Sequence, residues 1–174
     1  GVRAIRFIVH TQQENKERTI KDINKIIDQS ALAPAVRRLS KKIFLNLAQA
    51  EAKAHKTVIN KVHFHEVGAI DSIIDIVASA ILINKLKPQK IYAFIALGTL
   101  IFPAAKELLK EIPLTIIRIN QELVTPTGAA ILKTIVDEFV ASYIDIKINK
   151  KGYGAGMKNF EIPNVLEAIV GETK

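Results

Sequence analysis

Two histidines one residue apart, His63 and His65, followed at once by Glu66, form the densest group of metal-competent side chains in the sequence. In extended backbone successive side chains alternate between faces, so His63 and His65 project together while Phe64 turns to the opposite side. Two imidazoles at that separation chelate one divalent ion, and imidazole suits nickel and zinc. Glu66 adds an oxygen ligand or orients one of the histidines from behind. Further on, Asp71 and Asp75 are four apart, which puts both carboxylates on one face of a helix. Asp75 has Ile73, Ile74, Ile76 and Val77 around it, so its charge is expected to need a histidine, a lysine, a metal or backbone donors. The same residues also fit a chance His-x-His pair with an aspartate serving the first helical turn. His10 and His55 stand alone and are expected at the surface.

A second group is Glu122-Leu123-Val124-Thr125-Pro126-Thr127-Gly128. A threonine able to cap, a proline at the first turn and a small residue mark a helix start. Such a start can hold a phosphate or carboxylate, and an ordinary well-capped helix looks the same. A third group is Lys150-Lys151-Gly152-Tyr153-Gly154-Ala155-Gly156. Alternate glycines let a backbone bend tightly or approach a ligand, and the lysines add positive potential. The spacing is not that of a dinucleotide fingerprint, and a turn between two strands would account for it equally.

The elements that must position these groups read as strands alternating with helices. Residues 2–9 read as a strand. Thr19 is placed to cap a helix carrying Ile20, Ile23, Ile26 and Ile27, and Pro34 opens a long amphipathic helix with Val36, Leu39, Ile43 and Leu47 on one side. A short extended segment at 62–67 leads into a helix over 69–86 so apolar that it should be buried on most sides, with Pro88 stopping it. Residues 91–97 read as one strand covered on both faces, 103–111 as a helix, 114–119 as a strand and 126–139 as a helix. A half-buried strand at 143–149 and a last apolar segment at 165–170 complete the chain. The pattern predicts an α/β fold, a layered sandwich of helices on a mixed, partly parallel sheet, in a single domain over residues 1–174.

Composition narrows the function classes. Of 174 residues, 49% are hydrophobic and 24% charged, as in a globular chain. Without cysteine there is no thiolate ligand, thiol nucleophile or disulfide. The longest apolar run, 73–83, contains Asp75 and falls short of the ~20 residues that span a bilayer, so a cytoplasmic protein without membrane attachment is expected. The net charge of +8 is spread over scattered lysines and arginines with little aromatic interleaving. An anionic small ligand therefore suits it better than nucleic acid.

The three groups, in this order and embedded in VHFHEVGAIDSIIDIV (62–77), ELVTPTGAAIL (122–132) and KGYGAGMKNFEIPNVL (151–166), closely resemble the LarC family. Its members are nickel insertion proteins for the pyridinium bisthiocarboxylate mononucleotide cofactor of lactate racemase. The likeness runs from about Thr19 onward. It implies a CTP-dependent nickel insertase, of the lyase or chelatase class, that uses CTP hydrolysis with magnesium or manganese to place nickel in a nucleotide-like, anionic cofactor precursor. It makes His63, His65 and Glu66 the leading nickel candidates, with Asp71 and Asp75 behind them. Thr125, Thr127 and Gly128, with Lys151, Gly152 and Gly154, become candidates for the cofactor's phosphate. The family's Asp- and Gly-rich opening, a histidine cluster before Thr19, a Cys-His-Gly loop near Pro103 and a CTP-binding C-terminal domain have no counterpart here. The chain is accordingly expected to be part of a longer protein and inactive in insertion by itself. The other readings are a nickel storage or carrier module and, behind it, a basic nucleic-acid-associated protein; a homo-oligomer is left open.

Overall fold

Thr19 starts the first helix by a reciprocal cap: its hydroxyl accepts from the Asp22 N–H, and the Asp22 carboxylate accepts from the Thr19 N–H at 2.9 Å. Two amides that a helix start leaves open are thereby satisfied. In the computed structural model, which describes residues 2–10, 17–64, 70–142 and 144–173, α1 spans Ile20–Gln29 and buries Ile20, Ile23 and Ile27. Pro34 then occupies the first turn of α2 (Pro34–Ala54), whose buried side carries Val36, Ile43, Phe44, Leu47 and Ala48. Helix α2 is the centre of the core, with α1, α3, α4 and α5 all packed against it.

Helix α3 (Ile70–Leu86) is less covered than its composition suggests. Ile73, Ile76 and Ala80 are buried, but Ile81, Leu82 and Leu86 are exposed, which corrects the expectation of burial on most sides. It ends where Lys87 turns into the left-handed region (φ 47°), ahead of Pro88.

The remaining elements alternate. They are β1 (Tyr92–Ala93), β2 (Ala96–Leu97), α4 (Pro103–Leu108), β3 (Thr115–Ile116), α5 (Pro126–Ile135), β4 (Glu138–Phe139), β5 (Ile146–Ala155) and β6 (Val165–Thr173). Strands β1 and β4 pair in parallel, as do β2 and β3, whereas β5 and β6 are antiparallel. The fold is mixed α/β with partly parallel pairing, as expected; among the described residues the pairing falls into three two-stranded ladders.

Several boundaries differ from the sequence reading. The run 91–97 is two short strands, because its halves pair with different partners. The helix expected over 126–139 stops at Ile135: Val136 is extended (φ −79°, ψ 127°), and the amides of Asp137 and Glu138 donate to the Ile91 carbonyl at 2.9 and 3.2 Å. Sheet pairing there takes the backbone away from the helix. Residues 2–9 form no strand beyond a single parallel bridge between Ile5 and Gly154.

The chain packs as two compact units, Thr11–Ala141 and Gly1–His10 with Ser142–Lys174. Every buried apolar residue of the described chain belongs to the first, around α2. The second is built on the β5–β6 ladder, with Ile5 alongside: the Ile5 N–H donates to the Tyr153 carbonyl at 2.9 Å, and the Ala155 N–H to the Ile5 carbonyl at 2.8 Å.

Candidate functional site

His63 owes its position to its neighbour. Phe64 forms an antiparallel bridge with Arg18, its N–H donating to the Arg18 carbonyl at 3.1 Å, and its ring is 2% exposed in the core. With Phe64 turned inward, strand alternation turns His63 outward, and the imidazole is half exposed. Its Nδ1 lies 3.6 Å from Glu17 Oε2, on the other arm of the bridge. His65 and Glu66 lie outside the described residues.

Asp71 sits in the first turn of α3, where its Oδ1 accepts from the Ser72 N–H at 2.8 Å. Asp75 follows one turn later on the same exposed face. Partial desolvation, and then the nearby Asp71 charge, push the Asp75 carboxyl above the usual carboxylate range. Ile73, Ile76 and Ala80 take the buried side of α3, so Asp75 lies on the exposed side, only partly desolvated by its surroundings. Among the described residues no group of three or more His, Asp or Glu side chains is assembled to hold a metal ion. His63 is beside Glu17, and Asp71 is coupled to Asp75.

The start of α5 is as the sequence suggests. Thr125 is the cap, its hydroxyl accepting from the Gly128 N–H at 3.2 Å, and Pro126 occupies the first turn. One of the amides available to an anion is therefore already engaged by the helix's own threonine. Thr127 and Gly128 are partly exposed in that first turn.

Lys151, Gly152 and Gly154 belong to the other unit and lie within β5. The glycine stretch is a strand and not a turn: none of its glycines has positive φ, and β5 continues through it to Ala155 opposite Val165. A Cβ added at Gly152 or Gly154 would meet nothing within 4 Å, so this strand face is open. The Lys151 ammonium is 2.9 Å from Glu167 Oε1, which also accepts from the Tyr153 hydroxyl at 2.9 Å. Lys151 first and Tyr153 second hold the Glu167 carboxyl below its usual range. An anion approaching Lys151 has to compete with that carboxylate. Glu17, Tyr153 and Glu167 were not singled out from sequence, because each acquires its partner only through strand pairing.

Residues 1–174 match the family model described as nickel insertion protein. A Clostridium kluyveri protein called pyridinium-3,5-bisthiocarboxylic acid mononucleotide nickel insertion protein is 46% identical over 167 residues, covering 89% of this chain and 42% of that one. A protein of the same description from Acetivibrio thermocellus is 47% identical over 172 residues, covering 91% and 42%. Another from Staphylococcus epidermidis is 40% identical over 186, covering 100% and 47%. The chain thus spans less than half the length of these curated relatives. No solved structure matches it.

Proposed function

The chain belongs to the nickel insertion protein family, and on that premise we propose that it is the nickel-handling part of a protein delivering nickel to the pyridinium bisthiocarboxylate mononucleotide cofactor of lactate racemase. The observation that carries this reading is the family match along residues 1–174, supported by the names of the relatives. Nickel is cargo here, received by His63 together with His65 and Glu66. Asp71 and Asp75, at the start of α3, supply negative potential that raises the local cation concentration.

Imidazole and carboxylate are harder donors than thiocarboxylate sulfur, so a nickel ion held by them passes readily to the softer donors of the precursor. A tighter protein site would retain its cargo. The start of α5, with Thr125, Thr127 and Gly128, is a seat for the precursor's phosphate. Lys151, with the open backbone at Gly152 and Gly154, is a second candidate for contact with the anion. In a protein of the relatives' full length, acting in the cytoplasm, CTP hydrolysis assisted by magnesium or manganese drives the insertion.

The test is transfer. The 174-residue chain is loaded with Ni(II) and mixed with nickel-free cofactor, and the cofactor is then followed by mass spectrometry. Passage of nickel to the cofactor is the expected result once CTP, magnesium and the remaining segment of a full-length protein are supplied, and not from the chain alone. Retention of all nickel by the protein even in that complete mixture would instead make the chain a storage module. CTP and magnesium alone are not expected to accelerate the transfer unless the remaining segment of a full-length protein is supplied.

A further inference from the structure

We infer that Glu17 is a ligand of the nickel ion held at His63, an inference that rests on the reading of His63 as a nickel residue. Two separate observations lead to it. The first is register. Arg18 and Phe64 bridge the two segments and are both buried, so Glu17 and His63, their immediate neighbours, emerge on the same outward side. The second is distance. The 3.6 Å between His63 Nδ1 and Glu17 Oε2 is too long for a hydrogen bond. It is close to the spacing of two ligands of one ion: with metal–ligand bonds of ~2.0–2.2 Å at cis or tetrahedral angles, two donor atoms stand roughly 3.0–3.5 Å apart.

As a surface ion pair, two half-exposed side chains at this separation would contribute little to stability. As a chelate they offer a donor set suited to nickel, an imidazole nitrogen and a charge-neutralising carboxylate oxygen. The backbone on both sides is already fixed. Thr19 and Asp22 lock the start of α1 just after Glu17, and the Phe64 ring anchors the residue after His63. Little ordering is therefore left for the metal to impose.

The experiment is Ni(II) titration of the 174-residue chain by calorimetry and by ligand-field absorption, comparing the parent with Glu17→Gln, Glu17→Asp and His63→Ala. Far-ultraviolet circular dichroism and melting serve as controls on folding. Glu17→Gln is expected to weaken Ni(II) binding by more than ~10-fold and to shift the ligand-field bands, while Glu17→Asp, which keeps the carboxylate, retains the parent's bands. Parent-like affinity and bands in Glu17→Gln, with binding lost in His63→Ala, would overturn the inference and leave the nickel reading of His63 standing. Parent-like binding in His63→Ala, or none in the parent, would overturn both.

Discussion

The Phe64 ring meets the Phe44 ring edge-on, with centroids 6.3 Å apart and planes inclined at 64°. Edge-to-face packing of two buried rings ties the segment bearing His63 to α2, the most heavily packed helix in the fold. Removing the ring leaves a cavity beside Phe44. Phe64→Ala is expected to cost about 3–5 kcal/mol in denaturant unfolding, and if His63 receives nickel as proposed, Ni(II) affinity should fall with it. Parent-like stability in that variant would mean that the histidine is placed by something else.

Asp75 yields a pH prediction. Desolvation, and then the Asp71 charge, raise its folded pKa above the ordinary value. The native state then holds this proton more tightly than the unfolded chain. The contribution to stability is most favourable below the unfolded pKa and declines as pH rises through the folded one. Asp75→Asn should therefore melt higher than the parent at pH 7 in metal-free buffer, and together with it at a pH well below the carboxylate range. A variant that melts lower at neutral pH would show that Asp75 gains a favourable partner there.

Gly98 and Gly152 should respond in opposite ways to the same substitution. A Cβ at Gly98 would stand 2.0 Å from the Gln121 carbonyl oxygen and 2.9 Å from that of Ile119, both backbone atoms that cannot swing aside. Gly98→Ala must push β2 away from the segment after β3 and strain the Thr99 N–H to Ile119 carbonyl bond of 2.8 Å, costing at least roughly 1–3 kcal/mol. Gly152→Ala meets open space and should be near neutral. Urea midpoints of the two variants decide; equal costs would contradict the packing described.

The start of α5 separates cap from ligand seat. Thr125→Ala removes the hydroxyl that accepts from Gly128 and should cost about 1 kcal/mol. A Cβ at Gly128 would lie 3.4 Å from Thr125 Oγ1 and 3.9 Å from Val124 Cγ1, so Gly128→Ala should fold without difficulty. If this turn seats the phosphate, Gly128→Ala should weaken binding of the nickel-free cofactor and leave Ni(II) binding unchanged. Unchanged cofactor affinity would reduce the turn to a cap.

The helices were legible where their boundaries are chemical. Thr19, Pro34 and Thr125 mark starts that the structure confirms, because capping and proline geometry act within one turn. The inward turn of Phe64 could likewise be read from alternation alone. Boundaries decided by distant pairing were not legible. The Ile91 carbonyl captures two amides just after Ile135, and β3 and β4 divide one apolar run between them. The polar run from His10 to Arg18 reads equally as a loop within one domain, and composition does not change around Ala141, so the division into two units leaves no distinctive local mark. The partners of the candidate site residues were hidden for the same reason. Glu17 approaches His63 only through the Arg18–Phe64 bridge, and Glu167 reaches Lys151 only through the β5–β6 register.

The shortness of the parallel ladders has a consequence for how the molecule assembles. Strands β1 and β4 share a register of two residues, as do β2 and β3, and whole helices lie in the intervening chain of the β1–β4 pair. So short a pairing gains too little to offset the entropy of closing such a loop by itself. Helix α2 with α1, and α4 with α5, are expected to draw the chain together first, through helix packing that does not depend on the ladders. The ladders are therefore expected to form late, with Ile91 and Asp137 fastening a helical arrangement already in place, and low φ-values at these two residues would bear that out.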